Sequence, residues 1–354
     1  MIYLMKKYKS LCSLTGFIII LGFLCAVMGA FIWSYSTRGG QEKYFYIAEP
    51  AYLDLEQNDA FFPISKERLP EGIKSLTQKT YGTVFSESKQ DFETNEQMAR
   101  KIVFYYDRNK RLIKRNIYGK DGKLLSDLVF KYNPKGERIA DENGESLLIY
   151  ATYNYNEKGN MVGWNNYNNE GGLISSAILK YDDKNNLKEE FRQNASGKGR
   201  EKLVYNYNDK GQKMSRMDYL SADYLFTTYA YIYNEQGKLM EWIQIRRNGY
   251  VDERDVYSYD RNGNLNEKIS YLSGSYLLHK TTYRYDNNGN KIEELMFNKS
   301  DQNSPFYKRS YNYNTENKLI EQLGYSIWID PVSKKERISS VSERNVFEYE
   351  FYPK

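Results

Sequence analysis

Cysteine and histidine are nearly missing from this 354-residue chain, and their scarcity closes off several kinds of chemistry. The two cysteines, Cys12 and Cys25, both fall at the N-terminus, so the remainder has no disulfide and no thiolate metal site. The single histidine, His279 in Leu277-Leu278-His279-Lys280, has no second His or Cys to complete a zinc site. Catalysis of the Ser-His-Asp type would have to pass through it, yet no Gly-x-Ser-x-Gly elbow presents a serine. A phosphate-cradling glycine loop followed by lysine is also lacking, so no cofactor and no metal are expected. Charge of one sign is lacking as well. With Lys6, Lys7 and Lys9 removed from the 51 basic residues, 48 remain against 46 acidic ones, a balance that leaves no polyanion footprint and disfavours nucleic acid.

Long apolar runs are absent but for one. Leu14–Trp33 is an uncharged stretch of 20 residues behind Lys6, Lys7 and Lys9. At about 1.5 Å per residue it matches the hydrocarbon thickness as a helix, and the basic flank places the rest of the chain outside the cytoplasm. Residues 1–35 therefore read as a cytoplasmic flank and transmembrane signal anchor. A cleaved signal peptide cut near Ser34-Tyr35-Ser36, or a lipoprotein modified at Cys25, are the alternatives, and all three export the remainder of the chain. Localisation in a bacterial cell envelope is the expectation.

What the chain does have is tyrosine, 36 of them, with aromatics at 16% of all residues. Tyrosine suits half-buried β-surface, where the ring packs and the hydroxyl finds a partner. The tyrosines are periodic. Tyr205-Asn206-Tyr207-Asn208, Tyr231-Ile232-Tyr233-Asn234, Tyr257-Ser258-Tyr259-Asp260 and Tyr283-Arg284-Tyr285-Asp286 repeat one phrase at a step of 26 residues. Looser copies run upstream through Tyr106, Tyr132, Tyr155 and Tyr181. Another lies downstream at Tyr313, and Phe347-Glu348-Tyr349 reads as a degenerate closing copy.

Each unit reads as two strands and two turns. Tyr-x-Tyr sets both rings on one face of a strand. Asp or Asn follows, and three residues later comes Gly136, Gly159, Asn185, Gly211, Gly237, Gly263, Gly289 or Asn317. This is the chemistry of a type I turn closed by a bulge, with Gly or Asn at the left-handed position. Lys110 breaks the rule in the first unit, which is expected to be irregular. In the second strand Leu265, Ile269 and Tyr271 are expected to share one face, and a second turn carries Gly122, Gly171, Gly197 and Gly249. The fold expected is all-β: an antiparallel hairpin array over residues 100–326, coiled into an open ribbon or solenoid behind the transmembrane helix. Residues 36–99 are then linker and N-terminal cap, and 327–354 a C-terminal cap.

The phrase Tyr-x-Tyr-Asp-x-x-Gly-Asn, at 257–264 and 283–290, resembles the YD repeat of the Rhs family, over roughly residues 100–325. Members are bacterial secreted or surface proteins. The resemblance implies a spiral β-ribbon, which in large members closes a shell around a toxic domain, and in wall-associated relatives a link to carbohydrate or surface binding. Nine repeats are too few for such a shell, and Asp330-Pro331 lacks the glycines of the family's core-ending motif. A weaker similarity is to short hairpin arrays of the MORN-like antitoxin type.

The recurring Glu189, Glu241, Glu267, Glu293 and Glu321 are the remaining carboxylates of interest. A glycosidase needs a unique pair, whereas repetition points to cross-strand partners among Lys and Arg. Asp260–Asn264 and Asp286–Asn290 lack the spaced carboxylates of a calcium loop and read as turns. No enzyme is expected. Aromatics are the candidate ligand-binding residues: Trp164 and Trp242 at one phase of the repeat, and Tyr224, Tyr250 and Tyr276 in a second column, able to stack on a glycan or a surface protein, the other reading being that they stack on one another as structural ladders. Two functions are consistent with these features: an extracytoplasmic binding or structural protein, or an immunity-type partner of a toxin system.

Overall fold

The computed structural model describes residues 68–86, 91–144, 149–197, 199–221, 224–299, 301–329 and 336–353. Residues 63–354 form one compact unit, and the expected transmembrane segment 14–33 lies outside the described residues.

Every described element is a β-strand. The chain opens with the long β1 (Ile73–Ser86) and β2 (Asp91–Tyr106). Strands of about one repeat half each come next: β3 (Leu112–Tyr118), β4 (Leu124–Tyr132), β5 (Arg138–Asn143), β6 (Ile149–Tyr155), β7 (Met161–Tyr167) and β8 (Leu173–Tyr181). They continue with β9 (Leu187–Asn194), β10 (Arg200–Tyr207), β11 (Lys213–Tyr219), β12 (Leu225–Tyr233), β13 (Leu239–Arg246) and β14 (Val251–Tyr259). The series ends with β15 (Leu265–Leu272), β16 (Tyr276–Tyr285), β17 (Lys291–Asn298), β18 (Tyr307–Tyr313), β19 (Leu319–Ile329) and β20 (Glu336–Phe351).

Each strand pairs antiparallel with the next, and β20 pairs with β1, so the single 20-stranded sheet is a closed up-and-down barrel. The open ribbon expected from the repeats is thus corrected. The reason lies in residues 73–106, most of which read as a cap because they lack the tyrosine phrase. They supply two strands, and Leu76 sits between Phe104 of β2 and Tyr349 of β20 to complete the ring. Closure removes the two edges that an open array would expose. At about 4.8 Å per strand the circumference is on the order of 100 Å. Among the described residues no strand approaches another across the barrel, so the wall is a single layer.

The turns behave as their residues dictate. Nine described turns at the end of the Tyr-x-Tyr strands have one geometry, as in Asp260, whose N–H donates to Asn264 O while Gly263 N–H donates to Asp260 O. Gly263 stands at φ +84°. Asp286 Oδ1 accepts from the N–H of Asn288 and Asn290, and its carboxyl is held below the ordinary range by the Asn290 side chain and these amides. The first unit is regular, contrary to the expectation from Lys110. Lys110 adopts φ 58° in the same turn, and its ammonium holds Leu69 O at 2.9 Å. Arg68 meanwhile reaches Gly289 O at 3.2 Å, in the β16–β17 turn. Arg68 and Leu69 therefore cut across this mouth between turns that lie far apart around the ring.

Each of these turns leaves a bulge, and the bulge changes which residues share a face. Tyr259 faces Leu265, but Ser258 faces Glu267. Leu265 is on the tyrosine face, while Ile269 and Tyr271, opposite Val256 and Arg254, are on the other. Strict alternation, which places all three together, misses the extra residue.

Successive repeats are stitched by the second tyrosine of eight of the phrases. Tyr207, Tyr233, Tyr259 and Tyr285 donate to Leu187 O, Lys213 O, Leu239 O and Leu265 O at 2.9, 3.0, 2.8 and 2.9 Å. Tyr132, Tyr181, Tyr313 and Tyr349 do the same. Each hydroxyl satisfies a carbonyl on the neighbouring strand beyond the end of the paired ladder. Tyr352, donating to Tyr106 O at 2.6 Å, closes the ring with the same chemistry.

Candidate functional site

The tyrosine face is the more buried one along the wall. On β10, Glu201, Leu203 and Tyr205 are buried while Arg200 and Asn206 are exposed. In a closed single layer the converging face is the concave one, so the tyrosines line the interior.

Between the tyrosines stands a ring of residues at 26-residue steps: Trp164, Glu190, Arg216, Trp242, Lys268 and Glu294, on alternate strands from β7 to β17. Around β4–β10 this wall is sealed. Arg138 Nε donates to Asp141 Oδ1 at 2.5 Å, and Tyr153 OH to Asp141 Oδ2 at 2.7 Å. Glu190 accepts from Trp164 Nε1 at 3.2 Å, Arg192 Nε at 2.8 Å and Tyr205 OH at 3.3 Å. Buried charges so placed need every one of these partners.

Around β11–β18 the wall is more open. Tyr229, Tyr231, Trp242, Tyr257, Tyr283 and Tyr311 are half-buried. Tyr229 lies 5.8 Å from Trp242, ring centre to ring centre, with the planes tilted by 32°. The Arg216 guanidinium lies over the Tyr229 ring at 4.2 Å while gripping Asp218 through two bonds of 2.9 Å. Burial raises the Asp218 carboxyl pKa, offset in part by Arg216. Burial likewise raises the Tyr231 and Tyr257 phenols. His279 faces Ser270 in this wall, and burial with Lys268 lowers its pKa, Asp255 opposing.

The expected site residues do not converge. Trp242 faces Tyr231 and is part of the open wall. Trp164, at the same phase, is 1% exposed and sealed against Glu190, which leaves no ring face for a ligand. Tyr224, Tyr250 and Tyr276 are exposed and sit at the opposite mouth, each beneath a cation: Arg247 at 4.8 Å, Arg246 at 5.8 Å and Lys299 at 3.4 Å. The half-buried tyrosines of the phrase itself are candidates that the sequence pattern does not single out. Their signal is the bulge, which sets Trp242 and Lys268 on the same face as the tyrosines.

The repeated glutamates occupy the other face. Glu189 pairs with Lys202 at 3.1 Å, Glu241 with Arg254 at 2.9 Å, Glu293 with Lys308 at 2.8 Å and Glu321 with Arg344 at 2.7 Å. Glu267 faces Ser258 and Thr282. Cross-strand partnering of four of the five is the arrangement that their repetition suggests. Both faces thus carry pairs of charged side chains at mid-strand.

No family model matches the chain, and no curated protein matches it in sequence. Among solved structures it is similar to a porin-like protein from Bacteroides uniformis, at 11% identity and a TM-score of 0.35, over 80% of this chain and 98% of that one. A complex of TcdB2, TccC3 and Cdc42 matches at 13% identity and a TM-score of 0.22, over 70% of this chain and 17% of that one. The N-terminal domain of the effector SpvB from Salmonella typhimurium matches at 10% identity and a TM-score of 0.16, over 80% and 88%. Any relation to the YD-repeat proteins is a distant one.

Proposed function

We propose that the chain is an extracytoplasmic binding barrel whose open inner wall, from β11 to β18, holds an extended glycan by stacking on its aromatic rings. One observation carries this reading: Tyr231, Trp242 and Tyr257 stand half-buried on one face of three consecutive strands, and Tyr283 and Tyr311 continue the row. Half-buried rings are held rigidly by their neighbours and still present apolar area with a polar edge, which is what a sugar ring engages. Arg216, Lys268 and Arg309 interleave with these rings and supply donors. The extracytoplasmic setting is supported by the apolar segment 14–33 and its basic flank.

Isothermal titration of the barrel with soluble neutral oligosaccharides tests the proposal. Trp242→Ala is expected to weaken binding roughly tenfold, in line with about 1.4 kcal/mol of stacking. An affinity indifferent to Trp242→Ala in a folded variant rejects the wall as the site.

A further inference from the structure

The inner wall also contains a cation that, among the described residues, forms no ion pair of its own. Arg115 lies on β3 directly between Phe104 of β2 and Leu128 of β4, on the tyrosine face. Its Nε is shielded from solvent and has no hydrogen-bond partner. Arg138 is close enough on the same wall for the two guanidiniums to repel, and the carboxylate they face, Asp141, is held by Arg138 Nε and by the Tyr153 hydroxyl. Burial pushes the Arg115 pKa down, Arg138 pushes it further, and Asp141 opposes them. Four other charged pairs of this face differ in kind: Glu190 with Arg192, Arg216 with Asp218, Lys268 with Asp255 and Arg309 with Glu294 each match a cation to a carboxylate. At Arg115 two arginines share one acid.

A guanidinium whose Nε is shielded from water with no partner is destabilising in itself, and its planar fork is shaped to grip an oxyanion by two parallel bonds. We infer that Arg115 is the anchor of an anion site on the inner wall, taking a carboxylate, sulfate or phosphate group that a ligand presents from the barrel interior. Arg138 adds attraction without giving up Asp141. Phe104 and Leu128 on either side keep the local dielectric low, which strengthens the pairing. The site is separate from the glycan wall above, because β3 lies outside β11–β18, five strands beyond β18 around the ring.

Thermal unfolding of the full chain, at constant ionic strength set with sodium chloride, provides the test. Sodium sulfate, sodium phosphate and sodium glucuronate are the probes. The expected result is a saturable rise in midpoint of about 2–4 °C for the native chain with at least one of them. Arg115→Met is expected to unfold at a higher temperature than the native chain without anion and to lose the anion response, since an apolar side chain of similar length removes the uncompensated charge. Arg115→Lys keeps the charge without the fork and should fold like the native chain, with the anion response reduced at least several-fold. A larger response to glucuronate than to phosphate assigns the site to an acidic sugar, and the reverse to a phosphorylated group. An equal response in the native chain and Arg115→Lys, or no response in the native chain, overturns the inference. Failure of the Trp242 titration leaves this result untouched.

Discussion

The tyrosine ladder gives the most direct handle on what holds the barrel together. Tyr285→Phe removes one hydroxyl, whose bond to Leu265 O is 2.9 Å long, and keeps the ring. A net hydrogen bond is worth about 0.5–1.5 kcal/mol, and the upper half applies here because the carbonyl left behind is shielded by the ring that remains. A loss of roughly 1 kcal/mol is therefore expected, read as a lower urea midpoint at unchanged slope. Tyr233→Phe, whose hydroxyl holds Lys213 O at 3.0 Å, should behave alike. The two sites are two repeats apart and share no partner, so the double variant should lose about 2 kcal/mol, the sum of the singles to within about 0.5 kcal/mol. Tyr276→Phe is the control: its ring is 52% exposed beneath Lys299, at the other mouth, and its change should stay within about 0.5 kcal/mol. If ladder and control variants lose equal stability, the hydroxyl-to-carbonyl bonds do not join the repeats, and the account of their cohesion fails.

Burial sets two further outcomes. Trp164→Ala empties a site that is 1% exposed and deprives Glu190 of a donor, so a loss of about 3–5 kcal/mol is expected in chemical denaturation, far above that of Trp242→Ala. Equal losses at the two tryptophans would contradict the division into a sealed and an open wall. The phenols of Tyr132, Tyr181, Tyr207 and Tyr259 have folded-state pKa values raised by burial, Tyr132 to about 12. A raised pKa means the folded chain keeps its protons longer than the unfolded one. The stability is complete below the unfolded value of about 10 and is lost as pH climbs past it toward the folded values. Part of the phenolate absorbance should rise only together with unfolding, above about pH 10, and titration of every tyrosine near that pH while the barrel stays folded would refute it.

The repeat, its turn chemistry and its strand content were legible in the sequence because each is local. Tyr-x-Tyr, the Asx residue and the Gly or Asn three positions on are contained within eight residues, and Gly263 at φ +84° is what that spacing requires. The partnering of Glu189, Glu241, Glu293 and Glu321 could be read from repetition alone. Which face each residue joins was less accessible. A bulge adds one residue to a strand and inverts every position after it, so Ile269 and Tyr271 part from Leu265. Lys110 shows the limit from the other side: it takes the left-handed turn position without being Gly or Asn, and its ammonium reaches Leu69 O, 41 residues earlier, a contact that no local pattern carries.

Closure was decided by the tertiary structure. The pairing of Leu76 with Tyr349 joins strands from opposite ends of the unit, and β1 bears none of the repeat's marks. Whether a meander stays open or closes depends on the twist and tilt summed over all its strands, which no single repeat encodes. Local pattern by itself determined a chain of hairpins that lean on their neighbours. Only the assembled sheet gave those hairpins an inside, sealed Trp164, left Trp242 accessible, and brought Arg115 of β3 near enough to Arg138 and Asp141 of β5 for both to act on its charge.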